Sequence, residues 1–235
     1  MSFQLVLAML AAPAAGPGAD ACGGTAYVGL LSVHNSTAHS TSLATDLAKA
    51  RAAGDGSASS RALEQQLDLL LVLARSLRAV ESCQRDFVLL GALPALPRRW
   101  RELLAAEGVA FVQTPPLVLG SPATDKLFAW SLTRYRRLLV LDSDLLVLRP
   151  VEDLFQSDHP FVVAHHESDL QQARCGVPLE QRMIGALYAI TPSQATLAAL
   201  RAALPRFVAE RDLWQRYAEQ QLLSCHFQQQ VRSVA

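Results

Sequence analysis

Asp142 and Asp144 stand one residue apart in an otherwise aliphatic run, Leu-Leu-Val-Leu-Asp-Ser-Asp-Leu-Leu-Val-Leu, over 138–148. Such a run predicts a strand buried on both faces, where an ionised carboxylate is costly without a partner. In extended chain, residues i and i+2 project to one side, so the two acids are expected to converge at the strand's end. Paired hard-oxygen ligands suit Mn²⁺ or Mg²⁺, and such a metal commonly carries a phosphate on its far side. A turn whose Asp side chains bond nearby backbone is the competing account of the same triplet.

Other residues with chemistry to offer lie on either side. Lys126 falls in the first turn of a helix expected from Asp125 to about Arg134, with Thr124 as its cap. A cation there opposes the helix macrodipole, unless an anion is held at the same end. Pairing with Asp125 or solvation is the plainer alternative. Glu219-Gln220 sits on the last helix, either as a site pair or as part of a solvated polar face with Arg216 and Gln221. His165 and His166 follow a strand and read as surface histidines or as a metal ligand. Cys175 has no histidine at a telling spacing, so nothing supports nucleophilic catalysis.

Elements that position these groups alternate between strand and helix. Thr25–Val33 reads as a first strand. Residues 35–60, rich in Ser, Thr, Ala and Gly, read as a polar insertion. Leu63, Leu67, Leu70, Leu71, Ala74 and Leu77 recur at helical spacing. Strands follow at Asp86–Leu90, Val109–Val112, Phe161–Ala164 and Met183–Thr191. Pro94 and Pro97 open a helix through Ala106, Ser193 begins another carrying Leu197, Leu200, Leu204 and Phe207, and a last runs from about Gln215 to Cys225. Alternation of this kind predicts an α/β sandwich with a largely parallel sheet, and open sheets of that kind bind ligands outside the carboxyl ends of their strands.

The 235 residues are about half apolar and carry a formal net charge of zero. No basic face invites nucleic acid, and no apolar stretch is long enough to span a bilayer. Leu5–Ala15 followed by Ala19-Asp20-Ala21 has the form of a secretory signal, placing residues 1–21 outside the folded domain of 22–235. Asn35-Ser36-Thr37 is a sequon that matters only in that pathway. Cys22, Cys83, Cys175 and Cys225 form no CxxC pair, which argues against zinc and leaves disulfides or free core thiols open. No GxGxxG or GxxxxGK loop follows the first strand, against dinucleotide or P-loop chemistry. The expectation is a luminal, Golgi-type setting, with the cytoplasm as alternative.

The segment DKLFAWSLTRYRRLLVLDSDLLVLRPVEDLF (Asp125–Phe155) resembles the central signature of the glycogenin-like, family-eight glycosyltransferases. Their Lys-Leu, Trp-x-Leu-Thr-x-Tyr, Asp-x-Asp and Asp-Leu-Phe pieces recur here in order and without a gap. TAYVGLLS resembles their first nucleotide strand, LLLVLARSLR (Leu69–Arg78) their first helix, and Ala218–Leu223 an Ala-Glu-Gln form of a later motif found in plant relatives. The resemblance implies a GT-A fold, a UDP-sugar donor held through Mn²⁺ (or Mg²⁺), retention of configuration and a hydroxyl acceptor. It further implies Asp142 and Asp144 as metal ligands, Ser143 at the ribose, and Leu30 and Ser32 around the uracil. Lys126 would lie at the diphosphate, with Glu219 and Gln220 facing sugar and acceptor. Ile184 stands where the family has the Asn of Phe-Asn-x-Gly, and Ser224 where it has a later Asn. The family's third ligand comes from a His-x-x-Gly-x-x-Lys segment that does not occur up to Ala235, so the chain is expected to be an incomplete copy. A nucleotide-sugar-binding remnant without turnover is the alternative.

Overall fold

The computed structural model describes residues 22–31, 57–93, 96–115, 117, 122–165, 183–208, 218–227 and 232–234. The proposed signal, most of the polar insertion, Ser32, His166 and Cys175 lie outside them. Seven strands form one sheet: β1 (Thr25–Leu31), β2 (Asp86–Gly91), β3 (Val109–Gln113), β4 (Arg137–Leu141), β5 (Phe161–His165), β6 (Met183–Ile190) and β7 (Arg232–Val234). Their spatial order is β3-β2-β1-β4-β6-β5-β7. All pairings are parallel except the two that β6 makes with β4 and β5.

Strand residues alternate between two apolar layers, as the period of two demands. Ala26, Val28 and Leu30 of β1, Val88 and Leu90 of β2 and Leu138 and Val140 of β4 share one core. A 3-10 helix (Pro122–Ser131) and the helices Gln194–Ala203 and Ala218–His226 cover that face. Tyr27, Leu31, Phe87, Leu89, Leu139 and Leu141 share the other. It is covered by α1 (Ser57–Val80), α2 (Arg98–Ala106) and the short α3 (Asp153–Gln156). Leu63, Leu67, Leu70, Leu71, Ala74 and Leu77 of α1 are all buried there, the face their spacing predicts. The arrangement is therefore the three-layer α/β sandwich with a mostly parallel sheet that the alternation predicts.

On the first face, α4 (Gln194–Ala203) starts where Ser193 suggests: its Oγ accepts the Thr196 N–H at 3.2 Å. This is an ordinary N-cap, satisfying one of the donors a helix start leaves free. The four-residue α5 (Pro205–Val208) follows, and α6 (Ala218–His226) closes the layer.

Several boundaries differ from expectation for identifiable reasons. The aliphatic run around the acids is not one strand, because β4 ends at Leu141 and Asp142–Asp144 form a turn. Beyond it Leu145 and Val147 still pack inward, but Leu146 and Leu148 are 58% and 77% exposed. The Val147 N–H bonds Ser76 Oγ of α1 at 3.1 Å instead of a neighbouring strand, so the alternation persists without a ladder. The expected helix from Asp125 is a ten-residue 3-10 helix beginning at Pro122, with Thr124 buried within it rather than capping it. Runs of that length in 3-10 form are uncommon. Here residues 124–130 are all buried, so tertiary packing on every side sustains it. The polar insertion ends earlier than Ser60, since α1 already begins at Ser57.

Cys22 and Cys83 form a disulfide, with Cα atoms 6.0 Å apart, tying the entry of β1 to the entry of β2. Cys225 is disulfide-bonded as well. Where thiols and disulfides were both open, the structure has disulfides.

Tight packing at the centre of β1 depends on Gly29. A Cβ there would lie 2.9 Å from Phe87 Cε2 and 3.2 Å from Leu70 Cδ2, between a neighbouring strand and α1. Gly29→Ala is expected to cost about 1–3 kcal/mol through overpacking. Urea unfolding with an unchanged slope but a lower midpoint would show it.

Candidate active site

Register brings the sequence-predicted groups to one edge of the sheet. Gly29 of β1 lies opposite Leu141 of β4, so the chain steps from Leu30 and from Asp142 emerge side by side at the carboxyl ends. From the other side β6 runs antiparallel, Leu187 opposite Leu141, and the Asp142 N–H bonds the Ala186 carbonyl at 2.8 Å. Strand β1 is the point where chain order reverses, with β2 and β3 on one side and β4 on the other. A crevice at such a switch is the usual ligand site of open α/β sheets.

Lys126 is the centre of the cluster. It projects from the 3-10 helix, 5% exposed, and its ammonium pairs with Asp142 Oδ1. The same Nζ donates to the Gly185 carbonyl at 2.9 Å and lies 3.9 Å from Glu219 Oε2. Neither the Asp125 pairing nor the solvated lysine holds. Its counter-charge is supplied by two carboxylates from distant parts of the chain, not by a helix terminus. Burial works to lower the Lys126 pKa, yet the charges of Glu219 and Asp142 and the Asp142 hydrogen bond reverse that and hold the ammonium above its ordinary value.

Glu219 does not belong to a solvated face. It is 2% exposed in the first turn of α6, and Gln221 and Ser224 of that helix are buried too. Burial pushes its carboxyl up to about 7, opposed by the Lys126 charge and by the hydroxyl of Tyr188. Tyr188 of β6 donates that hydrogen bond to Glu219 Oε1 at 2.8 Å. Gln220 packs its side chain on Gly185: a Cβ at 185 would come within 2.7 Å of the Gln220 amide nitrogen.

Remaining candidates are distributed as follows. Asp142 keeps about a third of its side chain exposed, Ser143 is half-buried, and Asp144 is exposed in the turn. Asp144 is close enough to strengthen the Lys126 ammonium electrostatically. The Leu30 side chain is buried in the core, while its carbonyl accepts from Gln66 Nε2 at 3.4 Å. His165 pairs across the sheet with Met183, which puts its backbone at the same sheet edge. Tyr188 and Gly185 were not among the sequence candidates. A tyrosine within an apolar strand motif reads as core, and only the fold shows that its hydroxyl meets Glu219.

A divalent metal is implied by the Asp-x-Asp resemblance, and the donor set can be tested for fit. Asp142 and Asp144 offer hard oxygens at the solvent edge, the right chemistry for Mn²⁺ or Mg²⁺. Among the described residues no group of three or more His, Cys, Asp or Glu side chains is gathered for a metal. Asp142, one oxygen of which pairs with Lys126, and Asp144 would supply only part of a shell, the rest falling to phosphate oxygens or water.

Among solved structures, the galactosyltransferase LgtC in complex with donor and acceptor sugar analogs is similar, with TM-score 0.60 and 16% identity. The match covers 72% of this chain and 70% of that one. The apo glycosyltransferase GlyE of Streptococcus pneumoniae is similar at TM-score 0.55 and 16% identity over 90% of this chain and 45% of its own. The bifunctional glycosyltransferase WbbM is similar at TM-score 0.57 and 11% identity over 90% of this chain and 39% of its own. The chain has the GT-A fold. It spans less than half the length of the GlyE and WbbM chains. No protein-family model matches it, and no curated protein does.

Within this GT-A frame, the neighbour of the central lysine yields a pH prediction. Asp125 is buried and accepts the Leu117 N–H at 2.9 Å. Burial pushes its carboxyl from 3.8 up to about 7 against the pull of that bond. The folded chain thus keeps a proton that the unfolded chain has lost. The contribution to stability is complete below the unfolded value and is lost as pH rises to the folded one. Between about pH 4 and 7 the protein should lose on the order of 3 kcal/mol more than Asp125→Asn does. Urea midpoints of the two proteins across that range provide the comparison.

Proposed function

We propose that the chain is a retaining glycosyltransferase that moves a sugar from a UDP-sugar donor to a hydroxyl acceptor, assisted by Mn²⁺ or Mg²⁺. The observation that carries this reading is the convergence of Lys126, Asp142 and Glu219 at the carboxyl edge of a GT-A sheet. The unbroken Asp125–Phe155 resemblance supplies the donor class.

In this reading Asp142 and Asp144 hold the metal, which would supply positive charge against the departing diphosphate. The protein's own groups do the rest. Lys126 sets the Asp142 carboxylate and adds a fixed positive charge in a dry setting, where electrostatic stabilisation counts most. Glu219 fixes Lys126 from the opposite side. Gln220, resting on Gly185, faces the sugar and the acceptor. Ser32 and Ser143 would receive the nucleoside, while Leu30, its side chain in the core, would reach it only through its backbone at the end of β1. The Cys22–Cys83 disulfide supports a luminal, Golgi-type compartment, since such bonds persist in oxidising surroundings. Among the described residues no helix is long and apolar enough to cross a membrane.

A second reading is a nucleotide-sugar-binding subunit without turnover. Lys126 already occupies one oxygen of Asp142, and Ile184 stands where the resemblance calls for Asn. Calorimetry with UDP and Mn²⁺ beside a UDP-glucose hydrolysis assay separates the two, binding without hydrolysis favouring the subunit.

Asp144→Asn is the cleanest test of the first reading, because Asp144 is exposed and its loss should spare the fold. Mn²⁺-dependent release of UDP is expected to fall by about 100-fold or more in Asp144→Asn, and likewise in Asp142→Asn. A rate equal to wild type in either variant would remove the assigned role.

A further inference from the structure

We infer that Tyr188 is a positioning residue of this site, its hydroxyl fixing Glu219 and, through Glu219, the Lys126 ammonium against Asp142. The inference rests on the transfer reading for its kinetic consequence, but its geometry stands apart from any substrate.

Tyr188 is 1% exposed and cannot meet a ligand itself. Its ring is wedged among aromatics, with centroids 6.1 Å from Trp130 at 24° and 5.8 Å from Phe161 at 46°. Trp130 in turn stacks on Phe227 at 15°, which follows α6, and Phe161 stacks on the same ring at 4.4 Å. The aromatic stack therefore ties β6, the 3-10 helix and the end of α6 into one unit. Phenylalanine would fill the same volume and stack as well, so packing alone gives no reason for a hydroxyl. What the hydroxyl adds is the 2.8 Å bond to Glu219 Oε1.

That bond matters because of where the other Glu219 oxygen points. Oε2 lies 3.9 Å from Lys126 Nζ, too long for a hydrogen bond, so the lysine does not by itself fix the carboxylate. Among the described residues, Tyr188 is the hydrogen-bond donor to Glu219. With the carboxylate held on one oxygen, the other presents a stationary charge to Lys126, which then bonds the Gly185 carbonyl and Asp142. Without the hydroxyl, Oε1 is left as a buried acceptor lacking its partner, and the carboxylate turns toward the ammonium to compensate. Lys126 is then drawn from Asp142, and the carboxylate at the end of β4 loses its fixed orientation.

Lysine composition makes this directly measurable, since Lys49 and Lys126 are the only lysines in the chain. Limited acetylation followed by mass spectrometry reports Lys126 labelling against Lys49 in the same molecule. Tyr188→Phe is expected to change the Lys126 to Lys49 ratio by about threefold or more. Glu219→Gln should give a change of similar size, and the double variant no more than either alone. Tyr27→Phe removes a buried hydroxyl from the opposite layer and should leave the ratio unmoved, which controls for general loosening. In the UDP-glucose assay, Tyr188→Phe should lower kcat about tenfold with KM for the donor unchanged, again without adding to Glu219→Gln. An unchanged labelling ratio in Tyr188→Phe, or effects that add with those of Glu219→Gln, overturns the inference. A wild-type chain that turns over no UDP-sugar defeats the transfer reading instead, while the labelling ratio still decides the role of Tyr188.

Discussion

A single buried ammonium organises the functional end of this molecule. Lys126 has almost no access to water, and an isolated charge in that position would be expelled or neutralised. It stays charged because Asp142, Glu219 and the Gly185 carbonyl converge on it from three separate elements. Glu219 depends on the lysine most, since it is buried, whereas Asp142 keeps about a third of its side chain in solvent. A carboxylate as deep as Glu219 is tolerable only beside a cation and a hydroxyl donor. Removing one member of such a cluster leaves the others uncompensated, which is why buried ion pairs are far costlier to break than to replace whole.

Sheet topology is what makes that convergence possible. Parallel β1 and β4 carry the chain out at one edge, and the antiparallel return of β6 brings Gly185 and Ala186 to the same edge from the other direction. Asp142 is locked to β6 through its own N–H on Ala186, so the acid is fixed at its backbone before its side chain finds the lysine. The 3-10 helix lies between this edge and α6, touching both α4 and α6. Burial of residues 124–130 accounts for the unusual length of tight helix, since packing supports it where its own hydrogen bonds are poorer.

Much of this was legible in the residues themselves. Alternating apolar strands and the leucine stripe of α1 are one-dimensional patterns, and the two core layers follow from them directly. Ser193 as a cap is a local rule that the structure obeys. The Asp-x-Asp triplet could be placed at a strand's end, but not the strand's true stop at Leu141. Hydropathy reads Leu145–Leu148 as more of the same strand, whereas the Val147 N–H bonds Ser76 of α1 in place of a neighbouring strand. Lys126 stands out as a helix-terminal cation, but that position does not foretell the carboxylates that pair with it. Its real partners, Asp142 and Glu219, are distant in sequence, and no spacing rule links them. The residues of α6 leave Glu219 open between a site role and a solvated face, and the sheet and the 3-10 helix beside it are what bury it. Tyr188 carried no signal at all, since a hydroxyl in an apolar strand is indistinguishable from core.

Charge balance around Lys126 bears on how the site would accept a diphosphate. Asp142 pairs with the one ammonium, Glu219 lies 3.9 Å from it and Asp144 acts on it only through its charge, while burial pushes the Glu219 carboxyl up to about 7. Whatever fraction of Glu219 is ionised, the two aspartates leave the cluster negative. A donor carrying a diphosphate would meet repulsion there, eased in part by solvent because Asp144 and about a third of Asp142 are exposed. In the proposed transfer reading, a divalent cation held by Asp142 and Asp144 would offset that charge, with Lys126 as a second, fixed positive charge beside it. The lysine alone cannot do this, because its charge is already committed to the acids that hold it. In that reading the buried ammonium would arrange the acids, and a cation from solution would offset the charge they leave.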